Sequence, residues 1–306
     1  MPLRISRIVL GLSLLCGGAA LTVLWRPGGL FPERTVTTPP SANEDLLQAL
    51  LETDEEPQPV GKSISQDEPG LWQAKETTTA NPNVRVALFR QFPLKTLESK
   101  GSSRCHLKDG SALKSLDLVS WAGGGVRCQS LGGDGIAVNG ATYQGMIEVT
   151  RSENGWLAIN QLELEHYVAS VVGAEMPSYW NNEALKAQAV AARSYALVHL
   201  VRPAASRYHL GDTTRWQAYG GEGTITRSTR QASAATLGEV LSFRGGLVES
   251  LYASTSQVSA EAHGHLGASM SQHGAQALAQ QGKTYDQILG RYYKGASLAR
   301  IKLHGP

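Results

Sequence analysis

Short segments of alternating apolar and polar residues characterise the first part of the chain's body. Residues 84–90 read VRVALFR, an alternation typical of a strand with one buried face. Similar strand patterns follow at 136–138, 142–149 and 156–159, and clusters of glycine and aspartate separate them. This part of the chain is therefore predicted to be rich in β-structure.

The spacing of apolar residues becomes helical from residue 164 onwards. The positions that share one helix face are Leu164, Val168, Val171, Val172 and Glu175. Pro177 is expected to end this helix, because the residue before a proline disfavours the α conformation. A second, alanine-rich helix is predicted over about 183–200, with Asn181 or Asn182 as its N-cap.

The last third of the chain returns to strands and then to helices. Strand patterns lie at 239–243 and 248–253, and a helical pattern covers 271–280. Residues 284–287 form a capping box for a last helix that ends at Tyr293 or Lys294. The predicted fold class is α+β, with mixed β-strands around a central helical pair and a C-terminal helical section.

A continuous apolar run near the amino end predicts a membrane anchor. Arg4 and Arg7 precede a run from Ile8 to Trp25, which approaches the roughly 17–25 residues that cross a bilayer. The arginines favour an inside amino end, with the body on the extracytoplasmic (periplasmic or cell-wall) side. The small residues at 18–20 allow signal cleavage and secretion as the alternative. Because the apolar run continues past them, residues 1–26 are predicted to be an uncleaved signal-anchor.

Composition divides the remaining chain into a linker and a domain. Residues 27–82 are rich in proline, threonine and acidic side chains, which predicts a disordered linker. Residues 83–303 are predicted to form one domain, and 42% hydrophobic residues in the 306-residue chain suffice for a globular core. A formal net charge of only +2 argues against a nucleic-acid binder. From residue 83 to the end, 22 basic against 16 acidic residues suit an anionic polymer as partner.

Two cysteines in the predicted domain leave their redox state open. Cys105 and Cys128 would form a disulfide in an extracytoplasmic compartment. Two buried free thiols are the alternative, and the sequence does not distinguish them.

Glu175 is a charged residue on an apolar helix stripe. Val168, Val171 and Val172 precede it by seven, four and three positions and share its face. Burial and the partial negative charge at the helix carboxyl end should both raise its pKa. A carboxyl group kept neutral in this way suits a general acid. The alternative is a glutamate that points to solvent or pairs with a lysine.

The other residue types that carry chemistry give weaker patterns. His263, His265 and His273 lack a helical metal-ligand spacing, so no metal site is predicted. Residues 254–256 read Ser-Thr-Ser after a strand, which suits binding of a sugar or backbone group. Without a GxSxG motif, they do not indicate a hydrolase nucleophile.

Several segments together resemble the stage II sporulation protein D family, which includes the amidase enhancer of vegetative cell walls. The central ones are LEHYV at 164–168, VV at 171–172, AEMP at 174–177 and EALKAQAVAARSY at 183–195. The others are DTT at 212–214, QAY at 217–219, STS at 254–256, MSQHGA at 270–275, IL at 288–289 and YYKG at 292–295. The resemblance covers roughly residues 84–301.

The resemblance implies a peptidoglycan lytic transglycosylase or an activator of cell-wall amidases. In the first case Glu175 matches the family's catalytic glutamate and cleaves the bond between N-acetylmuramic acid and N-acetylglucosamine, leaving a 1,6-anhydro end. No cofactor is expected, because this chemistry needs only proton transfer. The expected partners are glycan strands, a cell-wall amidase and, through residues 1–26, the membrane, with no nucleic acid. A structural wall protein whose motifs only maintain the fold is a third reading.

A group of residues is predicted to bind the substrate. Lys186 and Arg193 lie seven positions apart on one face of the second helix, where they would hold a glycan; a solvated basic edge is the alternative. Further candidates, for which structural hydrogen bonding is the alternative role, are Gln188, Tyr195, Asp212 and Gln217. Ser254, Thr255 and Ser256 complete the predicted binding set.

The chain also departs from the family pattern. Gly211, Arg215 and Trp216 occupy positions where some members carry cysteine and histidine zinc ligands, so no zinc is predicted. Gln257 and Val258 replace the usual glycine pair, and only residues 257–269 separate the STS and MSQ motifs. A subdomain is therefore expected to be missing, which affects the expected substrate range.

Overall fold

The computed structural model describes residues 80–107, 109–111, 125–258 and 269–302. All of them belong to one unit of the chain, Pro40–Pro306. The predicted anchor at 1–26, nearly all of the predicted linker, and His263 and His265 lie outside the described residues. Among the helices in the described ranges, none is long and apolar enough to cross a membrane.

Fourteen strands and five α-helices are bounded within the described residues. The strands are β1 (Asn83–Ala87), β2 (Leu97–Ser99), β3 (Arg104–Leu107), β4 (Val126–Gln129), β5 (Ile136–Val138), β6 (Ala141–Tyr143), β7 (Met146–Ser152), β8 (Gly155–Glu163), β9 (Leu210–Gly211), β10 (Glu239–Phe243), β11 (Gly246–Leu247), β12 (Leu251–Ala253), β13 (Ser269–Ser271) and β14 (Ser297–Arg300). The helices are α1 (Leu164–Glu175), α2 (Asn182–Val201), α3 (Arg227–Ala235), α4 (Gln272–Gln280) and α5 (Tyr285–Tyr292). The α+β class predicted from the sequence is confirmed.

The largest sheet has six strands in the order β3-β4-β7-β8-β1-β9. Its strand pairs are antiparallel except for β1 and β9, which are parallel. Cys105 of β3 lies directly opposite Cys128 of β4, and the two form a disulfide. Of the two redox states that the sequence left open, the structure contains the disulfide.

Three smaller sheets complete the β-structure of the described residues. Their strand orders are β2-β5-β6, β11-β10-β14 and β12-β13, the last pair being parallel. The single strand predicted at 142–149 is divided between β6 and β7 by Gly145, whose positive φ of 84° breaks the extended backbone. The strand predicted at 248–253 forms only over β12. Before it, the hydroxyl of Ser250 donates to the carbonyl oxygen of Ala191 at 2.7 Å.

The central helical pair forms as the periodicity predicts. Helix α1 ends at Glu175, and Met176 is extended before Pro177. Asn181 is the N-cap of α2, and its side chain accepts a hydrogen bond from the backbone N–H of Glu183 at 2.9 Å. Helix α2 is buried almost all round between Ala184 and Val198. Its many alanines leave room for neighbours, and α1, α3, α4, α5 and β10 all pack around it.

Candidate functional site

Glu175 lines a pocket of about 350 Å³ at the carboxyl end of α1. The pocket forms where this helix end meets the loop that follows β9, strand β12 and the first residue of α4. The complete lining consists of Glu175, Tyr195, Thr214, Arg215, Trp216, Leu251, Tyr252, Ala253, Ser254, Val258 and Gln272.

Two hydrogen bonds fix the Glu175 carboxyl group. The backbone N–H of Ala218 donates to Oε1 at 2.7 Å, and Nε2 of Gln272 donates to Oε2 at 3.3 Å. Burial raises the pKa of Glu175 above its ordinary value, and these two hydrogen bonds oppose the shift without cancelling it. The carboxyl group is therefore easier to protonate than one in water, while its anion also has two donors.

Tyrosine hydroxyls and an amide form a hydrogen-bonded chain beneath the pocket. The hydroxyl of Tyr167 donates to Oε1 of Gln217 at 2.9 Å, and Nε2 of Gln217 donates to the hydroxyl oxygen of Tyr252 at 2.9 Å. Burial raises the pKa of Tyr252 well above its usual range, so this phenol stays protonated. Since its oxygen accepts from Gln217, its proton remains available to another acceptor. Gln217, predicted to bind substrate, instead positions a residue that lines the pocket.

An aromatic wall closes one side of the pocket. The rings of Trp216 and Phe89 stack with centroids 5.7 Å apart and an interplanar angle of 12°, and Tyr208 meets Phe89 edge-on at 5.6 Å. Gly211 lies behind them. A Cβ atom there would come within 2.5 Å of the indole of Trp216, so only glycine allows this packing. The Arg215 guanidinium carbon lies 5.1 Å from the centroid of the Trp216 ring.

Asp212 supports this wall and does not line the pocket. Its fully buried carboxylate accepts the backbone N–H of Arg90, at 3.1 and 3.3 Å to the two oxygens. The bond ties the turn that carries Phe89 to the loop that carries Trp216. Burial raises the pKa of Asp212 to about 6, against the opposing effect of Arg90.

Three of the residues predicted for the site come together in the pocket: Glu175, Tyr195 and Ser254. Tyr195 is almost fully buried, and this burial raises its pKa to about 12. Thr255 and Ser256 follow Ser254 on exposed backbone and do not line the pocket. The hydroxyl oxygen of Thr255 accepts the backbone N–H of Val258 at 3.2 Å.

Lys186 and Gln188 lie away from the pocket lining. Nζ of Lys186 donates to Oε1 of Glu183 at 2.7 Å and lies 5.6 Å from the centroid of the Tyr285 ring. Gln188 is fully buried on α2, and its amide has no hydrogen-bond partner within the described residues. Neither side chain lines the pocket, and their role in glycan binding stays a prediction.

Arg193 requires a correction, because its guanidinium is fully buried. Its Nε and Nη2 donate to the two carboxylate oxygens of Glu165, each at 2.7 Å. Nη1 donates to the carbonyl oxygen of Glu239 at 2.9 Å, and Nη2 also donates to that of Ser233 at 3.3 Å. Arg193 therefore joins α1, α2, α3 and β10, and its donors are used within the protein.

The sequence reasoning missed several lining residues. Gln272 belongs to the MSQ motif and Tyr252 precedes the STS motif by two positions, but neither was proposed for the site. Arg215 and Trp216 were interpreted only as replacements for zinc ligands. The available signal was the motif membership of Gln272, since its contact with Glu175 spans 97 positions. Among the described residues, no group of three or more histidine, cysteine, aspartate or glutamate side chains is placed to hold a metal ion.

Comparison with known proteins shows a family similarity in the middle of the chain. Residues 152–243 match the family described as "Stage II sporulation protein". An uncharacterized protein of Brachyspira hyodysenteriae is 34% identical over 120 residues, which are 39% of this chain and 33% of that protein. The amidase enhancer of Bacillus subtilis is 39% identical over 85 residues, 28% of this chain and 11% of that protein.

A further relative shows the same similarity. The stage II sporulation protein D of Bacillus amyloliquefaciens is 32% identical over 125 residues, which are 36% of each chain. The chain thus spans about a third or less of the curated relatives it matches. The predicted resemblance to the stage II sporulation protein D and amidase enhancer family is confirmed.

Proposed function

We propose that this chain, whose residues 152–243 match the stage II sporulation protein family, is a peptidoglycan lytic transglycosylase. The observation that carries the proposal is the Glu175 carboxyl group. It lines an open pocket, burial raises its pKa, and two donors hold it in place. A carboxyl group of this kind serves both as an acid and as the conjugate base.

In the first half of the reaction, Glu175 is the general acid. Its proton passes to the glycosidic oxygen between N-acetylmuramic acid and N-acetylglucosamine, and the bond from that oxygen to the muramyl C1 breaks. The oxygen leaves as the 4-hydroxyl of N-acetylglucosamine. The raised pKa supports this step, because a larger fraction of the carboxyl group carries the proton near neutral pH.

In the second half, the Glu175 carboxylate is the base. It takes the proton of the muramyl C6 hydroxyl while that oxygen bonds to C1, which closes the 1,6-anhydro ring and restores the acid. The donors from Ala218 and Gln272 stabilise the anion between the two steps. The nucleophile belongs to the substrate, so one carboxyl group suffices, whereas the usual hydrolytic scheme uses two.

The surroundings of Glu175 suit a sugar polymer. Trp216 and Tyr252 offer apolar surface to sugar rings. The excess of basic residues from position 83 onwards favours an anionic strand. Residues 1–26 would anchor the body on the extracytoplasmic side of the membrane, or be cleaved on secretion, and the role would be cell-wall remodelling.

The test is product analysis on purified peptidoglycan. The full-length protein and its Glu175→Gln variant are incubated with glycan strands, with and without stem peptides, and the new ends are identified by mass spectrometry. Anhydromuramyl ends from the wild type alone support the proposal. Their absence with both glycans, from folded protein that binds them, contradicts it.

A second candidate function is non-catalytic activation of a cell-wall amidase. The similarity to a protein named amidase enhancer favours it. This function does not need proton transfer by Glu175. The Glu175→Gln variant, added to a purified N-acetylmuramyl-alanine amidase and peptidoglycan, would then stimulate release of stem peptides as strongly as the wild type.

A further inference from the structure

Arg215 has an unusual position for an exposed basic residue. It lines the same pocket as Glu175, and its guanidinium lies over the Trp216 ring. That ring is itself fixed by Phe89 and by the absence of a side chain at Gly211. Arg215 is thus held on a rigid aromatic surface at the pocket, where most exposed arginines are free to move.

The charge of Arg215 is not neutralised where the structure describes its surroundings. Within the described part of the chain, no carboxylate forms an ion pair with it, although arginines elsewhere do, such as Arg193 with Glu165 and Arg300 with Glu239. A guanidinium presents parallel N–H donors whose geometry matches a carboxylate. Within the residues that the structure describes, no hydrogen bond uses those donors, so they are available to a ligand.

From this arrangement we infer that Arg215 is a specificity-determining residue that binds a carboxylate of the substrate. The inference rests on the proposed function, because it takes the occupant of the pocket to be peptidoglycan. Two carboxylates of that polymer qualify. One is on the lactyl ether of a muramic acid that has lost its peptide, and the other belongs to the stem peptide.

Arg215 should act in binding and not in the chemical step. Positive charge develops at the anomeric carbon in the transition state of glycosidic cleavage. A guanidinium beside that carbon would disfavour the reaction, so Arg215 must contact a group some distance from it. Its removal is therefore expected to raise KM and leave kcat nearly unchanged.

The experiment measures glycan affinity in the Glu175→Gln background, where no turnover occurs. Full-length protein with Arg215, or with Arg215→Gln, is titrated with three strands: peptide-free glycan, the same glycan with its lactyl carboxylates reduced to alcohols, and peptide-bearing glycan. Arg215→Gln is expected to weaken binding of at least one carboxylate-bearing strand about tenfold. The reduced glycan should bind both proteins equally.

The matched control is Arg151→Gln. Arg151 is also exposed and also lies over a tryptophan ring, 5.3 Å from the centroid of Trp156, but it does not line this pocket. The charge change is the same, so any general effect of net charge on a polyanion appears in both variants. The control should leave all three affinities within about twofold, since surface charges away from the pocket are screened.

The outcomes distinguish the lactyl carboxylate from the peptide carboxylate. They also distinguish failure of the role of Arg215 from failure of the proposed transglycosylase reaction. A loss only with peptide-free glycan assigns the lactyl carboxylate, and a loss only with peptide-bearing glycan assigns the peptide. An equal loss with the reduced glycan, or no loss with any strand, overturns the role of Arg215. Anhydromuramyl products from the Arg215→Gln single variant at a wild-type KM also overturn it, while leaving the proposed reaction intact.

Discussion

The backbone N–H of Ala218 donates a 2.7 Å hydrogen bond to Oε1 of Glu175. The bond joins the last residue of α1 to the loop that carries Arg215 and Trp216. It therefore fixes the candidate acid relative to the wall where a sugar would bind. A main-chain donor cannot rotate away, so this hydrogen bond holds the carboxyl group more firmly than a side-chain donor alone would.

Removing the second donor to Glu175, the side chain of Gln272, is expected to change how kcat/KM depends on pH. Gln272 stabilises the anion, so Gln272→Leu should raise the pKa of Glu175 further. Activity that needs the protonated acid is lost as pH rises through that pKa. The alkaline limb of the kcat/KM profile should thus move to higher pH, by about half a unit.

A control on the same helix is Gln280→Leu, because Gln280 is exposed and the substitution is identical. Its pH profile should match that of the wild type. A shift of the Gln272→Leu limb to lower pH would show that this amide does not act on the anion.

Adding a side chain at Gly211 is expected to disrupt the packing of the aromatic wall. A Cβ atom at this position meets the indole of Trp216 at 2.5 Å and the ring of Phe89 at 2.7 Å, so Gly211→Ala must displace the aromatic wall. We expect a loss of about 1–3 kcal/mol in the free energy of unfolding and weaker glycan binding. Urea denaturation measures the first, and Gly223→Ala, whose Cβ would have no neighbour within 4 Å, is the control. Equal stability of the two variants would contradict the packing argument.

The assignment of Arg193 as a structural residue also has a direct test. Arg193→Lys cannot reproduce the paired hydrogen bonds to Glu165, so it should lower the free energy of unfolding by about 3 kcal/mol. Arg202→Lys changes an exposed ion pair with Glu249 and should cost at most about 0.5 kcal/mol. Below its melting temperature, the Arg193→Lys protein should bind glycan normally. If the fully folded Arg193→Lys protein binds glycan weakly, Arg193 contributes to substrate binding and the structural assignment is wrong.

Asp212 predicts an unusual dependence of stability on pH. Its pKa of about 6 in the folded protein exceeds that of an unfolded chain, so its contribution to stability is present below about pH 4 and lost as pH rises through 6. Asp212→Asn keeps an acceptor for the N–H of Arg90 and does not titrate. Its stability relative to the wild type should increase by about 2 kcal/mol between pH 4 and pH 7.5. Thermal unfolding at both values measures the difference, and a difference that is constant with pH would contradict the raised pKa.

Local patterns were sufficient for the elements that carry the acid. The stripe from Leu164 to Glu175 and the stop at Pro177 predict α1, and the Asn181 cap with the alanine-rich run predicts α2. These signals depend on residues within a few positions of one another, so no tertiary information is needed. The same stripe placed Glu175 on the apolar face of α1 and so drew attention to its carboxyl group.

Arg193 shows why helical spacing alone misassigned part of the site. Its separation of seven from Lys186 places both residues on one face, and a basic face on a surface helix would meet solvent. Helix α2 is surrounded on all sides, however, and Glu165 of α1 neutralises Arg193 in the interior. Whether a face is covered depends on neighbouring elements, which periodicity does not specify.

The other lining residues come together through contacts distant in sequence. Ala218 and Gln272 lie 43 and 97 positions from Glu175, and the parallel pairing of β1 with β9 places Phe89 beside Trp216. No pattern in one segment encodes such pairings. The motifs indicated which segments matter, and the fold determined which of their side chains meet.

The most direct test of the central claim follows the source of the new oxygen. Wild-type and Glu175→Gln proteins are each incubated with purified glycan strands in heavy-oxygen water, and mass spectrometry examines each new muramyl end. The account predicts unlabelled 1,6-anhydro ends from the wild type, because the C6 oxygen of the substrate attacks C1, and no cleavage by the variant. Labelled reducing ends, or anhydro ends produced equally by Glu175→Gln, would contradict it.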